Sequence, residues 1–449
     1  MKQDIFASTQ TLAFHPIRKE NGEKQTQYFS YLKHLLRLAR WNQETYTKAQ
    51  IVYYREQLCH VRENSKKAKE LSFGSRFCDL LPYDLAAMAG IFHKEEGALG
   101  QIARAALKSR LILEIYMDFS LSPEQKKRLS RGFEAAFGDL DAWEDVLRDK
   151  ALKPFRQYLR LVKQNNDFVC QKPYNILITA TMSAGKSTLI NALVGKTISL
   201  AQNMACTSKI HIIVSKPFED GATSEYDHDL LMNASQEDLL TDNSDNPSSK
   251  ITVGTYFNSA LGGKRIVLLD SPGVNSSENA DHTEISQKFI QSKKYRLMLY
   301  VLNATQLGTT DEERHLETVR DCLGQRDILF IMNKIDQLIS EDDSILDSIE
   351  NQRKFLISKG FQQPLICPVS SRAAYLAKKS RLETLSRLER REMEIYMDKF
   401  EQQGLPEYYQ KHFGLPPISP TEETEALLAN CGFSYLENQI VKFYTMEGK

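Results

Sequence analysis

Six short apolar runs set the tightest limit on what this chain can fold into. They read NILITA, KIHIIV, RIVLLD, LMLYVLN, DILFIMN and LICPVS, and all lie between Asn175 and Ser370. Each is continuous rather than alternating, and helix-like sequence separates most of them. Continuous apolar strands are buried on both faces, and strands that alternate with helices pair in parallel. The expected fold class is therefore α/β, with a mostly parallel sheet covered on both sides. Between Pro217 and Lys250 the pattern is interrupted by a polar insert ending LLTDNSDNPSSK, whose Asn, Asp and Ser suggest a surface excursion.

On either side of this region the period is helical. At 449 residues the chain exceeds one ordinary core, so two or three domains are expected. Residues 1–169 read as an α-helical domain without a strand-like run. YFSYLKHLLRLARW sets Phe29, Leu32, Leu35, Leu36 and Leu38 near a three-to-four spacing. Ser122, Pro123 and Gln125 form a capping box, while Gly74 and Pro82 read as breaks between helices. Residues 170–449 would form the second domain, with the insert at 217–250 and a helical insertion at 375–430. In that insertion Leu382, Leu385, Leu388, Met393, Tyr396 and Phe400 fit one helix face. Ser419–Glu422 reads as a further capping box, Gly432 as a stop, and Ser434–Glu437 as another start.

Composition excludes several classes. Lys+Arg and Asp+Glu both count 58, so the cationic footprint of a nucleic-acid binder is missing. The 7 cysteines are scattered and never spaced CxxC, which argues against a disulfide framework and a zinc site. The N-terminus has no apolar core for a signal peptide, and no run reaches the roughly 18 apolar residues of a membrane span. The expected setting is a reducing cytoplasm.

The stretch ATMSAGKSTLINAL, Ala180–Leu193, carries the chemistry. It departs from the phosphate-loop pattern only in an alanine where the first glycine stands. A Cβ at 180 is tolerated if φ stays negative, because the left-handed region costs a residue with a Cβ about 1–2 kcal/mol. A strand precedes the loop and a helix follows, so backbone N–H groups would face phosphate. Ser183, Ala184, Gly185, Lys186, Ser187 and Thr188 are the candidate phosphate contacts. Lys186 would sit on the β- and γ-phosphates and Ser187 would hold Mg2+.

Other motifs follow in order at strand ends. Asp270 of DSPG would bind Mg2+ through water, and the Gly273 N–H would meet the γ-phosphate. Thr207, just before the second strand, suits a switch residue that joins the metal only when γ-phosphate is present. Asp336 of NKID can accept from the paired N–H donors of guanine, which adenine lacks, so the ligands are expected to be GTP and GDP. Asn333 and Lys334 would brace the base and the phosphate loop, and Ser370 and Ser371 of VSS would close over the guanine.

With these residues in hand, the chain resembles the dynamin-like GTPases, most closely the bacterial dynamin-like group. The resemblance rests on MSAGKSTLINAL, NMACTSKI, DSPGVN, YVLNATQLGTTDEE and MNKID, and covers about 170–449. It implies a dynamin-type P-loop GTPase domain, GTP hydrolysis, and GTP-dependent dimerisation across the nucleotide face. Lys186, Ser183 and Thr207 are then the catalytic candidates. Dynamins carry a glutamine where this chain has Met182, and Val274 stands where small signalling GTPases use one. A thioether cannot orient water, although the Ser183 hydroxyl could contribute. The group's lipid-binding tip has no evident counterpart; GFSYLENQIVKFY reads as the GTPase domain's final helix, so this is a truncated chain or a compact member. The one membrane candidate is YLKHLLRLARW, whose Lys33, Arg37 and Arg40 flank leucines; the alternative is a bundle helix burying them.

Two functions stay open at this point. One is a mechanochemical hydrolase whose helical domain moves with the GTP cycle. The other is a slow GTP-dependent switch that recruits protein partners through its helical regions.

Overall fold

In the computed structural model the residues described are 8–9, 12–59, 77–90, 109–117, 119–136, 140–198, 210–227, 229–239, 250–271, 288–292, 294–324, 326–338, 345–401 and 403–447. One sheet of 9 strands organises them, in the order β4-β3-β5-β2-β6-β1-β7-β8-β9. The strands are β1 (Tyr174–Ala180), β2 (Ile210–Ser215), β3 (Ser224–Tyr226), β4 (Leu230–Leu231), β5 (Lys250–Thr255), β6 (Ile266–Asp270), β7 (Leu297–Asn303), β8 (Asp327–Asn333) and β9 (Ile366–Val369). β6, β1, β7, β8 and β9 run parallel, β2 is antiparallel to β6, and β3 is antiparallel to β5 and β4. β1, β6 and β7 are nearly or wholly buried along their length, as their continuous apolar sequences require.

The insert at 217–250 corrects the expectation of a surface excursion over its described part; residues 240–249, which make up most of LLTDNSDNPSSK, lie outside the described residues. It contributes β3 and β4, which extend the sheet edge, and Leu230, Met232, Ala234 and Leu239 are buried. β3 and β4 are too short to register as apolar runs, and β5 alternates with Thr and Gly.

Before β1 come α1 (Gly22–Leu38), α2 (Thr45–Leu58), α3 (Leu81–Met88), α4 (Pro123–Ala136), α5 (Leu140–Arg148) and α6 (Arg156–Cys170). The capping box at Ser122 is present: its N–H donates to Gln125 Oε1 at 2.8 Å, and the Gln125 N–H to Ser122 Oγ at 3.3 Å. Pro82 stands in the first turn of α3 rather than between helices, where its missing N–H costs nothing. Gly74 lies outside the described residues. Leu32, Leu35 and Leu36 of α1 are fully buried, so the leucines of the membrane candidate face the bundle. No helix among the described residues is long and apolar enough to cross a membrane.

A buried polar knot ties these helices together. Asp84 of α3 accepts from Tyr28 of α1, Tyr54 of α2 and Tyr158 of α6, and meets His15 Nε2 at 2.8 Å. Burial and the adjoining Asp84 charge push the phenols of Tyr28 and Tyr158 well up, so they stay protonated and donate. α6 then leads directly into β1. Arg265, beside β6, donates to the carbonyls of Val169 and Gln171, and the helices and the sheet share one continuous apolar core.

The sheet carries α7 (Lys186–Val194), α8 (Thr310–Leu323), α9 (Ile345–Ser358), α10 (Ser371–Leu382), α11 (Arg387–Phe400), α12 (Leu405–Phe413), α13 (Glu423–Asn430) and α14 (Phe433–Glu447). Three expectations here are corrected. The stripe from Leu382 to Phe400 is two helices, not one, and Leu382 and Leu388 are exposed. The break is a full capping box, Ser386 with Glu389. Ser419–Glu422 does not cap: α13 starts at Glu423, and Thr421 instead donates twice to Glu425. α14 begins at Phe433, one residue ahead of the expected start, after Gly432 in a left-handed conformation. Glu437 does not cap it but pairs with buried Lys378 of α10.

Candidate functional site

The C-terminal ends of β6, β1, β7, β8 and β9 lie side by side, with β1 at the point where chain order turns to either side. Such a switch point opens a crevice between diverging loops. Ala180 ends β1 with a negative φ, so the missing glycine carries no backbone strain. The loop after it holds Ser183 at φ 61 and Gly185 at φ 86. A Cβ at Gly185 would collide with Asn333 Nδ2, so both the conformation and the space demand glycine.

Asn333 explains the close approach. Its Nδ2 donates to the carbonyls of Ala184 at 2.9 Å and Gly185 at 3.4 Å, and its Oδ1 accepts from the Ser371 N–H at 3.1 Å. One buried side chain thus joins the loop after β1 to the loop after β9. Asn303, at the same register on β7, adds a longer contact from Nδ2 to the Ser183 carbonyl at 3.5 Å. Its Oδ1 is fixed by the N–H and hydroxyl of Thr305. Sequence reasoning assigned Asn303 no role, although it lies within YVLNATQ.

Lys186 opens α7, and its ammonium pairs with Asp270 at the end of β6. The side chains are 14 % and 9 % exposed, so each needs its counter-charge. Ser187 and Thr188 fill the rest of the first turn, half-buried. First-turn N–H groups have no intrahelical acceptor and carry the positive end of the helix dipole. The cradle therefore offers an ammonium, free amides and a left-handed turn to an anion. Ser187 and Asp270 supply the hard oxygen donors that Mg2+ prefers, so the residues present fit that ion.

The far end of the crevice is shaped by Lys334, at φ 64, and the short turn Ile335–Gln337. Asp336 is nearly buried, and Ser370 Oγ donates to its Oδ1 at 2.6 Å. Ser370 also caps α10 by accepting from the Ala373 N–H. Ser371 Oγ is buried with no partner among the described residues. Lys399 of α11, also missed from sequence, donates to the Asp336 carbonyl at 3.4 Å. Thr207, Gly273 and Val274 lie outside the described residues.

Beneath the loop, His315 of α8 meets Thr179 Oγ1 at 3.1 Å, and burial lowers its pKa to about 4. Glu312, one turn away, is pushed up to about 7, mainly by burial, against the Gly308 N–H that donates to it. Stability from Glu312 is present below the ordinary carboxyl range and lost as pH rises through about 7. Stability from His315 is present above about 6.5 and lost as pH falls toward 4. The slopes oppose each other at mildly acidic pH. Glu312→Gln should therefore raise Tm relative to the parent above pH 7 and steepen the acid-side fall; superimposable Tm-against-pH curves would refute this pairing.

Residues 176–335 match the sequence profile of the Dynamin family. A bacterial dynamin-like protein of Nostoc punctiforme is 25 % identical over 241 residues, covering 49 % of this chain and 34 % of that protein. Dynamin-like protein 2 of Campylobacter jejuni is 24 % identical over 203 residues, covering 44 % and 31 %. The match thus spans about a third of the length of these two curated relatives. Among solved structures, an oligomerised bacterial dynamin pair, described as a mechanism for long-range sensing and tethering of membranes, aligns over 98 % of this chain and 62 % of that chain. Its identity is 15 % and its TM-score 0.36, too distant to carry an argument.

Proposed function

Because the chain belongs to the bacterial dynamin-like GTPase family, we propose that it binds GTP with Mg2+ and hydrolyses it, with a rate that rises on GTP-dependent dimerisation. The observation that carries this is the Asn333 bridge. It makes one rigid cradle of the loop bearing Lys186 and the loop bearing Ser370, with Asp336 at the base-reading end.

In this reading residues 1–169 are a helical domain and 170–449 the GTPase domain. Lys186 leaves Asp270 for the β- and γ-phosphate oxygens, and the amides of Ser183–Thr188 take the remaining phosphate charge. Ser187, Thr207 and, through water, Asp270 would hold Mg2+, which when bound would neutralise charge developing on the phosphate oxygens. The Gly273 N–H would meet the γ-phosphate. Lys334 lies along the base, Asp336 reads its donors, and Ser370 and Ser371 close its edge. Ser183, fixed in a left-handed turn, presents its hydroxyl toward the reacting water. The protein acts in the cytoplasm, with its helical region as lever or as docking surface for a protein partner.

A slower switch is the second reading, and one observation favours it. Met182 is 43 % exposed at the loop tip, where a thioether has no hydrogen to give water. Phosphate release from GTP, with ATP as control, over a hundredfold range of protein concentration separates the two. A GTP-specific rate per molecule that climbs with concentration is expected. A slow, flat rate supports the switch, and equal turnover of ATP overturns the guanine assignment.

A further inference from the structure

α11 is anchored by one face only. Glu392 accepts from Arg372 at 2.9 and 2.7 Å, Glu389 from Lys379 at 2.8 Å, and Phe400 is buried. On the other side Leu388 is 77 % and Ile395 54 % exposed. Seven residues apart, they lie two turns along one stripe. Beside them stand exposed charges in two blocks. Arg387, Arg390 and Arg391 occupy the first half; Glu394 and Asp398 follow, with Glu401 just beyond the helix. None of these six has an ion-pair partner among the described residues.

This order works against the helix itself. Cations belong at a helix C-terminus and anions at its N-terminus, where they offset the dipole. The two inward acids of the first half are spent on Lys379 and Arg372, so the outward face is positive first and negative second. Glu389 in the first turn and Lys399 in the last carry the favourable signs, so the helix ends are compensated from the inward side, while the outward face keeps two opposite blocks of charge that a reversed copy of itself would match.

We propose that α11 pairs antiparallel with α11 of a second copy of this chain, without requiring nucleotide. One two-fold register sets Arg387 against Asp398 of the second copy and Arg391 against Glu394 of the second copy, each repeated by symmetry. Leu388 and Ile395 then lie along the same residues of the copy and lose their exposure to water. Self-complementary charge selects a second copy over an unrelated protein, which has no reason to match this face with its own reversal. The helix has 14 residues, so the rod is about 21 Å long and the contact falls in the small, reversible class. The pairing stands apart from the GTP reading, and either can fail alone.

The test is sedimentation of the full chain in nucleotide-free, low-salt buffer. One variant carries Arg387→Glu with Arg391→Glu, making both halves acidic; another carries Glu394→Lys with Asp398→Lys, making both basic. The parent chain should approach twice the monomer mass as concentration rises. Each variant alone should stay monomeric, and an equimolar mixture should return to the doubled mass. The rescue distinguishes lost pairing from lost folding. A monomeric parent, variants that still pair with themselves, or a mixture that stays monomeric overturns the proposal.

Discussion

Lys186→Ala is expected to abolish GTP binding at micromolar concentrations. The ammonium is the only side-chain cation in the first turn of α7, and it lies nearly buried against Asp270. Truncating one partner of a buried, charge-assisted contact costs about 2–5 kcal/mol. That is a Kd weakened roughly thirtyfold to several thousandfold. The same change has a second consequence. Without nucleotide, Lys186 neutralises Asp270, so the variant leaves a nearly buried carboxylate unpaired. The nucleotide-free variant should therefore melt below the parent, and it should gain nothing when GTP is added. Titration calorimetry and thermal unfolding, each with and without GTP, check both statements. Parent-like affinity in a folded variant would remove phosphate binding from this loop.

The parallel core was legible because each of its strands is a continuous apolar run, and all but β7 end in a motif with an assigned role. Lys186, Asp270, Asn333, Asp336 and Ser370 sit at those ends, and their positions followed once the strands were placed. What escaped depends on neighbours remote in sequence. Asn303 matters because β7 and β8 run in register beside the loop after β1. Lys399 matters because α11 folds back over the turn at Asp336. Asp84 draws its partners from three helices and from His15. No local pattern announces such pairs. β3 and β4 were lost for another reason: at the sheet edge they are only three and two residues long, so they resemble loops, while β5, between β3 and β2, breaks its apolar run with Thr and Gly. One signal was available and overlooked. Ser386-Arg-Leu-Glu389 is a capping box, and it divides the stripe that reads as a single helix. Periodicity alone could not reveal the break, because Leu385 and Phe400 are both buried while Leu388 between them is exposed.

Asp336→Asn should reverse the preference for guanine while leaving phosphate binding intact. The carboxylate accepts only, and Ser370 Oγ already donates to Oδ1, which fixes the plane of the group. The remaining lone pairs suit the two N–H donors of guanine. An asparagine keeps the shape but turns one acceptor into an NH2 donor. A donor facing a donor in a nearly buried site loses a hydrogen bond and leaves two polar groups unsatisfied. Sites built to pair a polar group discriminate by factors of about 10^4–10^5. Loss of one of two contacts here should therefore lower GTP affinity on the order of a hundredfold or more. A base with a carbonyl where guanine has its amine restores complementarity, so xanthosine triphosphate should bind the variant better than GTP does. Ser370 can still cap α10, and Asn333 still holds the phosphate loop, so the fold should persist. Competition of the three nucleotides, guanine, adenine and xanthine, for a fluorescent triphosphate measures the order directly. An unchanged ranking with GTP first would place base recognition on groups other than Asp336, with the Ser371 hydroxyl and the Lys399 ammonium the next to change.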